Sequence, residues 1–498
     1  MQNSINISVK VILATLMFFL TSCINMSGIV PVSQTKNTQI LKAEKALSGT
    51  EQTATWPEES WWKSYHDKQL DQLISKTISG NRSLRIAEDR VRLAQAFIVG
   101  AHAALLPRVG FDASTGLERF TAEQFVPAPW AGHADWNNQI TTTLAYDLDL
   151  WGSKESVWKA FIGEAKAREA EVQQVKLSLI TAVVRDYIEL SIAYELRDIA
   201  YERLSLRQKR LSIERQALTG GIGTEINMLE AEMPLSTIRG QIEIINKRIE
   251  LIENQIAAIT GQGPDAGLEI TRPKILFNAT IGLPSLLPAD LIGRRPDIVA
   301  NRWRIEATSN DIDSAKADFY PNINLLAFVG FQALGFGQVI GNSSLIAGVG
   351  PAISLPIFDG GRRRANLSAK TAEYDIAVER YNATLIIALQ DVSNQLLIFQ
   401  SNTKQMSEVQ IGLSLLGKSS ALAERSYKAG LENYQKVIDT KLNILALREL
   451  EKYLQGERLG IYATLMQSLG GGIFNEKSNL RLPEQNKSER NEDLGIHS

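Results

Sequence analysis

The sequence predicts a mixed α and β membrane protein built from two copies of one plan, with four alternating strands set among very long helices. Three observations predict it. Each half reads helix, strand, loop, strand, helix, short turn, helix, an internal repeat that takes precedence over any other fold assignment. Four segments alternate apolar with small or polar residues at period two, the pattern of a half-buried or lipid-facing strand. Two stretches, about 153–219 and 362–429, contain no proline and little glycine. At 1.5 Å per residue each could approach roughly 100 Å, far beyond an ordinary globular helix.

Taken in order, the chain begins with Lys10 and the apolar run VILATLMFFL, too short to span a bilayer as a helix and typical of a secretory signal over 1–22. The signal ends in LTSC, with Cys23 the only cysteine in the chain. Residues 23–60 read as a polar, extended tether. The first repeat, 61–282, opens with a short helix carrying Leu70, Leu73, Ile74 and Ile78. A break at Gly80-Asn81 precedes a longer amphipathic helix that Pro107 stops. A strand over about 108–120 places Val109, Phe111, Ala113 and Thr115 on one face. A second, about 137–150, does the same with Ile140, Thr142, Leu144, Tyr146, Leu148 and Leu150. LDLWGS then turns sharply from strand to helix, where glycine is needed. The long helix reverses at TGGIGT, 219–224, with Thr224 as the returning helix's N-cap. That returning helix carries Ile242, Ile245, Ile249, Ile252, Ile256 and Ile259 at coiled-coil spacing, and Pro234 should kink it.

The second repeat, 283–472, follows the same course. Pro284 and Pro288 keep LPSLLPADLIGRRPDIVA out of helix at its start, and Pro296 suits the first turn of the next helix. Pro321 ends that helix. Strands over about 321–332 and 345–358 align Ile323, Leu325, Ala327, Val329 and Phe331, then Leu345, Ala347, Val349, Ile353, Leu355 and Ile357. LPIFDGGRRR turns into a helix whose Leu385, Leu389, Val392, Leu396 and Phe399 step by four and three. KAGLEN, 428–433, reverses it, with Asn433 as the cap. The loops at about 116–137 and 332–344 join paired strands. After Gly470-Gly471-Gly472 the chain is polar to Ser498, a composition that resists folding.

Composition removes whole classes of function. The net charge of −2 and the absence of a basic run give no pull toward nucleic acid. Four scattered histidines and one cysteine supply no clustered metal ligands. No nucleophile elbow, HExxH or P-loop is present, so neither a catalytic site nor a cofactor is expected. No apolar run after residue 20 reaches the 18 residues a spanning helix needs, which leaves a barrel as the membrane-crossing option. Four strands cannot close alone, and an open edge in lipid leaves backbone groups unsatisfied. On pattern alone the alternative is the edge of an antiparallel sandwich. If the strands form a barrel it is shared, either between two chains around a filled interior or among three around a wider lumen.

Two stretches carry a resemblance. LPSLLPADLIGRRPDI, with Ala289 and Gly293 as small departures, and WWKSYHDKQLDQLISKTISGNRSLRIAEDRV, 61–91, resemble signatures of the TolC-like outer membrane efflux factors, in the lipoprotein branch called NodT. The two strand-to-helix junctions resemble that family's as well, and the likeness covers about 55–472. The resemblance implies a homotrimer with a 12-stranded outer membrane barrel, four strands per chain, continued by a long periplasmic helical barrel. It implies a passive exit duct serving an inner-membrane RND-type transporter through a periplasmic adaptor. LTSC resembles a lipobox, which implies diacylglyceryl lipidation at Cys23; Ile24 is not the aspartate that signals inner-membrane retention. The turns at Gly221-Ile222 and Gly430-Leu431 correspond to adaptor-contact tips, and Tyr434, Gln435 and Asp439 to the periplasmic aperture. Gln435 stands where relatives carry leucine, so a polar ring replaces a hydrophobic plug. Three Asp439 carboxylates near one axis would repel each other and attract cations. The rival readings are the outer component of a type I protein secretion system, a structural periplasmic coiled-coil lipoprotein, and, with no site to support it, a lipoprotein enzyme.

Overall fold

A computed structural model describes residues 26–36, 56–123, 126–276 and 293–472. The signal, Cys23, Pro284, Pro288 and the tail beyond Gly472 lie outside the described residues.

The helices are α1 (Lys68–Gly80), α2 (Arg82–Ala103), α3 (Ser153–Thr219), α4 (Glu225–Ile259), α5 (Pro296–Ala317), α6 (Arg362–Lys428) and α7 (Tyr434–Ser468). The strands are β1 (Arg108–Arg119), β2 (Ala134–Leu148), β3 (Asn322–Leu334) and β4 (Leu345–Ser354). Helix lengths recur along the chain: 22 residues for α2 and α5, 67 for α3 and α6, and 35 for α4 and α7. Helix α4 runs unbroken through Pro234. The proline removes only the donor to the Glu230 carbonyl, and the isoleucine seam beyond it keeps the helix packed.

The chain divides into two compact units. The first takes its described residues from 26–35, Arg90–Arg168 and Asn301–Tyr381. It holds one antiparallel sheet in the order β1-β2-β3-β4. The register puts the apolar positions in rows across all four strands. Val109 faces Leu144, which faces Ala327, which faces Val349. Phe111, Thr142, Val329 and Ala347 form the next row, and Ala113, Ile140, Phe331 and Leu345 the one after. On the opposite side the Phe328 ring lies where a Cβ at Gly348 would sit, so that glycine makes room for an aromatic ring on the neighbouring strand. Strand β4 stops at Ser354, short of the expected 358, because Pro356 has no N–H for the ladder. Pro351 is tolerated inside β4, which lies at the edge of the sheet. Among the described residues the outer edges of β1 and β4 have no strand partner.

The two exits from the sheet share a device. Asp149 accepts hydrogen bonds from the Lys154 and Glu155 N–H groups at 3.1 and 2.8 Å, capping α3. Asp359 accepts from the Gly361 and Arg363 N–H groups at 3.0 and 3.2 Å, capping α6. Gly152, Gly360 and Gly361 take positive φ in these turns. Trp151 stacks on Tyr320 at 4.7 Å and donates to the Pro321 carbonyl at 2.8 Å. Ile312, Phe319 and Leu367 form a small core that Met26 and Ile29 help to cover. The N-terminal segment stays extended beside α6, its Val32 and Ser33 N–H groups both donating to Asp375 Oδ1.

The second unit takes the remaining described residues, including all of α1, α4 and α7 and most of α3 and α6. Its core holds Leu70, Ile74, Val183, Ile256 and Val392, each 1% exposed or less. Each contributes on the order of 1.5–3 kcal/mol by burial. Two core tyrosines satisfy their hydroxyls: Tyr187 donates to Asp67 at 2.7 Å and Tyr65 to the Leu459 carbonyl at 2.8 Å. The Arg294-Arg295-Pro296-Asp297 end of the proline-rich stretch is also built in here. Arg294 lies over the Trp56 ring at 4.5 Å. The Arg295 side chain, 9% exposed, bridges Asp297, Asp391 and the Ser468 carbonyl.

Candidate aperture and hairpin tips

The candidate site lies in the second unit, at the end where α3 passes to α4 and α6 to α7. Both turns close in the same way. Gly221 and Gly430 sit at φ +72° and +71°, the left-handed region that glycine enters without strain. The Ile222 N–H reaches back to the Ala217 carbonyl at 3.0 Å, and the Leu431 N–H to that of Ser426 at 2.9 Å. Together with bonds from Gly221 to Leu218 and from Gly430 to Tyr427, these make a Schellman motif on each hairpin. Thr224 then caps α4 by accepting from the Asn227 N–H, and Asn433 caps α7 by accepting from the Lys436 N–H. The apolar residue after each positive-φ glycine finds no cover within the chain: Ile222 is 87% exposed and Leu431 78%.

The sequence places Tyr434, Gln435 and Asp439 together at the start of α7. All three are tied to α3. The Lys209 ammonium donates to the Tyr434 hydroxyl at 2.7 Å and lies over its ring at 4.5 Å. Tyr427 meets the same ring edge-on at 4.9 Å. Gln435 donates to buried Glu214. Arg210 donates to Asp439 at 3.1 Å, and nearly three turns further along α7, Arg203 reaches Glu449 at 2.7 Å. Asp439 therefore has its counter-ion in its own chain, which changes the electrostatics expected of it: a ring of bare carboxylates would attract cations, whereas an arginine-paired carboxylate is neutralised. The pair is part-exposed, so it contributes about 0.5–1 kcal/mol to stability and can be broken without unfolding anything.

The α3 side of this arrangement went unrecognised in the sequence. Arg203, Arg207, Arg210 and Glu214 step by four, three and four, which sets them on one helical face. That spacing was the available signal. Burial, with the charges of Arg210 and Arg203 adding to it, pushes the Arg207 guanidinium below its ordinary pKa, against the pull of Asp439.

Among the described residues no three His, Cys, Asp or Glu side chains are grouped to hold a metal, and no helix is long and apolar enough to cross a membrane. The arrangement is one of charges, hydroxyls and exposed tips.

Comparison with known proteins places this geometry. The sequence model of the outer membrane efflux protein family matches the chain twice, over residues 73–262 and 287–471. The fusaric acid resistance protein FusA of Burkholderia cepacia is 38% identical over 360 residues, 71% of this chain and 67% of the relative. The multidrug resistance outer membrane protein MdtP of Escherichia coli K12 is 30% identical over 432 residues, 84% of this chain and 87% of the relative. The crystal structure of the outer membrane protein VceC from Vibrio cholerae superposes with a TM-score of 0.77 at 29% identity, covering 84% of this chain and all of that one. These are relatives in a family of outer membrane ducts, not of enzymes. The chain belongs to the outer membrane efflux protein family, and it is the outer membrane exit duct of an efflux pump, extending into the periplasm.

Proposed function

We propose that three copies of this chain close one 12-stranded barrel in the outer membrane and continue below it as a helical barrel in the periplasm. The observation that carries this is the sheet: four strands with apolar rows in register and two unpaired edges. In lipid those edges must be satisfied by other copies. Three copies leave a lumen, where two would leave an interior filled by side chains. The recurring helix lengths and the double family match support reading 61–282 and 283–472 as repeats, between a 1–22 signal, a 23–60 tether and a 473–498 tail. The tether would carry a lipid on Cys23; Cys23→Ser should abolish labelling by a radioactive fatty acid, and retained label would sink that assignment.

In this reading the duct is passive. The exposed tips at Gly221-Ile222 and Gly430-Leu431 meet a periplasmic adaptor, which joins the duct to an inner-membrane RND-type transporter. Tyr434, Gln435 and Asp439 form the periplasmic aperture, and their bonds to Lys209, Glu214 and Arg210 hold α7 against α3 in the closed form. Widening the aperture exchanges the Lys209 and Arg210 contacts for water at small cost, with the bond to buried Glu214 the most expensive of the three to break, and adaptor binding supplies the difference. The relatives named for fusaric acid and multidrug resistance support small organic toxicants as the cargo. Native mass spectrometry of the detergent-extracted protein tests the assembly. Three copies are expected, and a monomer or dimer as the largest species would overturn the shared barrel.

A further inference from the structure

We propose that Arg207 is an anion-binding residue of the duct, which takes the carboxylate of an acidic solute at the aperture. The inference rests on the aperture reading above and adds to it a ligand class and a residue.

Three arginines share one face of α3 at this level, and two of them are satisfied. Arg203 holds Glu449 at 2.7 Å, and Arg210 holds Asp439 at 3.1 Å. Arg207 stands between them with no hydrogen bond or ion pair to any described residue, although its side chain is partly buried. The carboxylate facing it from α7 is Asp439, which Arg210 already engages. The nearby Lys209 adds another positive charge and spends its bonds on the uncharged Tyr434. Each carboxylate that reaches this face from α7 has an arginine of its own, and Glu214, on the ladder itself, is held by Gln435; among the described residues Arg207 is the arginine of the three with no bonded carboxylate.

A guanidinium flanked by two others and partly withdrawn from water is in an unfavourable place, as its lowered pKa reflects. Its planar fork of donors matches a carboxylate in two-point fashion, which makes an anion the natural way to relieve the repulsion. The same argument reverses the charge preference expected from Asp439 alone. With Asp439 paired to Arg210 and Glu214 buried against Gln435, Arg207 and Lys209 are the charges left to meet a solute, and the aperture favours anions over cations.

The test uses the full-length protein in planar bilayers, with sodium benzoate as the probe and benzamide as its uncharged counterpart. Wild-type channels should favour chloride over potassium in a salt gradient and should be blocked by benzoate but not by benzamide. Arg207→Gln should raise the benzoate concentration needed for half-block by roughly tenfold, the loss of one charged contact. Arg207→Lys, which keeps the charge, should recover most of the block. Arg207→Gln channels with wild-type benzoate block would overturn the proposal. Loss of the oligomer in Arg207→Gln would overturn it too, because the anion would then be a carboxylate of a neighbouring copy. Wild-type protein that forms no conductance at all would instead bring down the aperture reading on which the proposal stands.

Discussion

Replacing Arg295 tests whether the RRPD sequence at the start of α5 is a structural bolt. Its side chain is 9% exposed and makes four hydrogen bonds: to both Asp297 oxygens at 2.7 and 3.1 Å, to Asp391 at 3.2 Å and to the Ser468 carbonyl at 3.3 Å. Burial alone would lower its pKa, but the two carboxylates more than offset that and raise it. Removing one partner of a buried ionic cluster costs about 3–5 kcal/mol, because the others are left desolvated. Here the Asp297 and Asp391 side chains are 26% and 42% exposed, so water can recover part of their solvation. Arg295→Ala should therefore lie at the lower end, about 3 kcal/mol. Hydrogen exchange reads this locally. The Val299 N–H, which donates to the Arg295 carbonyl, and the Leu469 N–H, beside Ser468, report on the two segments the side chain joins. Both should exchange roughly a hundredfold faster in Arg295→Ala, given about 1.4 kcal/mol per decade. Arg295→Lys should fall between, since one ammonium cannot span three acceptors at once. Exchange within threefold of wild type at both amides would refute the bolt and leave the motif without this role.

Two further outcomes are expected. Burial, with the charge of Glu189 adding to it, pushes the Asp186 carboxyl up to about 6, and its Oδ2 is buried with no hydrogen-bond partner. A carboxyl raised in the fold binds its proton more tightly there than in the unfolded chain, so stability contributed by its protonation is present near pH 4 and lost as pH rises through about 6. Asp186→Asn should remove that part of the pH dependence and raise stability at pH 7 in detergent unfolding; an unchanged profile between pH 4 and 7 would show that Asp186 titrates normally. Leu431→Asp should lower efflux in cells at least severalfold while the oligomer keeps its wild-type yield, because a side chain 78% exposed packs no core. A variant that loses the oligomer would place Leu431 inside the assembly rather than at an adaptor contact.

What the sequence disclosed, and what it did not, divides by distance along the chain. Thr224 and Asn433 could be read as caps, and Gly221 and Gly430 as helix stops, because each acts on backbone groups within five or six residues of itself. The strand faces were legible for the same reason: period two fixes which side Val109, Leu144, Ala327 and Val349 take before any register is known. The end of β4 escapes the pattern even though its cause, Pro356, is local, because apolar alternation continues through Leu355 and Ile357 past the point where the ladder loses its donor. The candidate aperture is a different case. From the sequence Asp439 is a bare charge, but its counter-ion Arg210 lies 229 residues earlier, in the other half of the chain. Nothing periodic links the two; only the packing of α7 against α3 does. The arginine ladder itself, at 203, 207 and 210, was visible as a one-sided charge stripe that an isolated helix would simply solvate. The stripe acquires a role only when α7 brings Asp439 and Glu449 to two of its three members, and the charge that decides the site is then the one left without a partner.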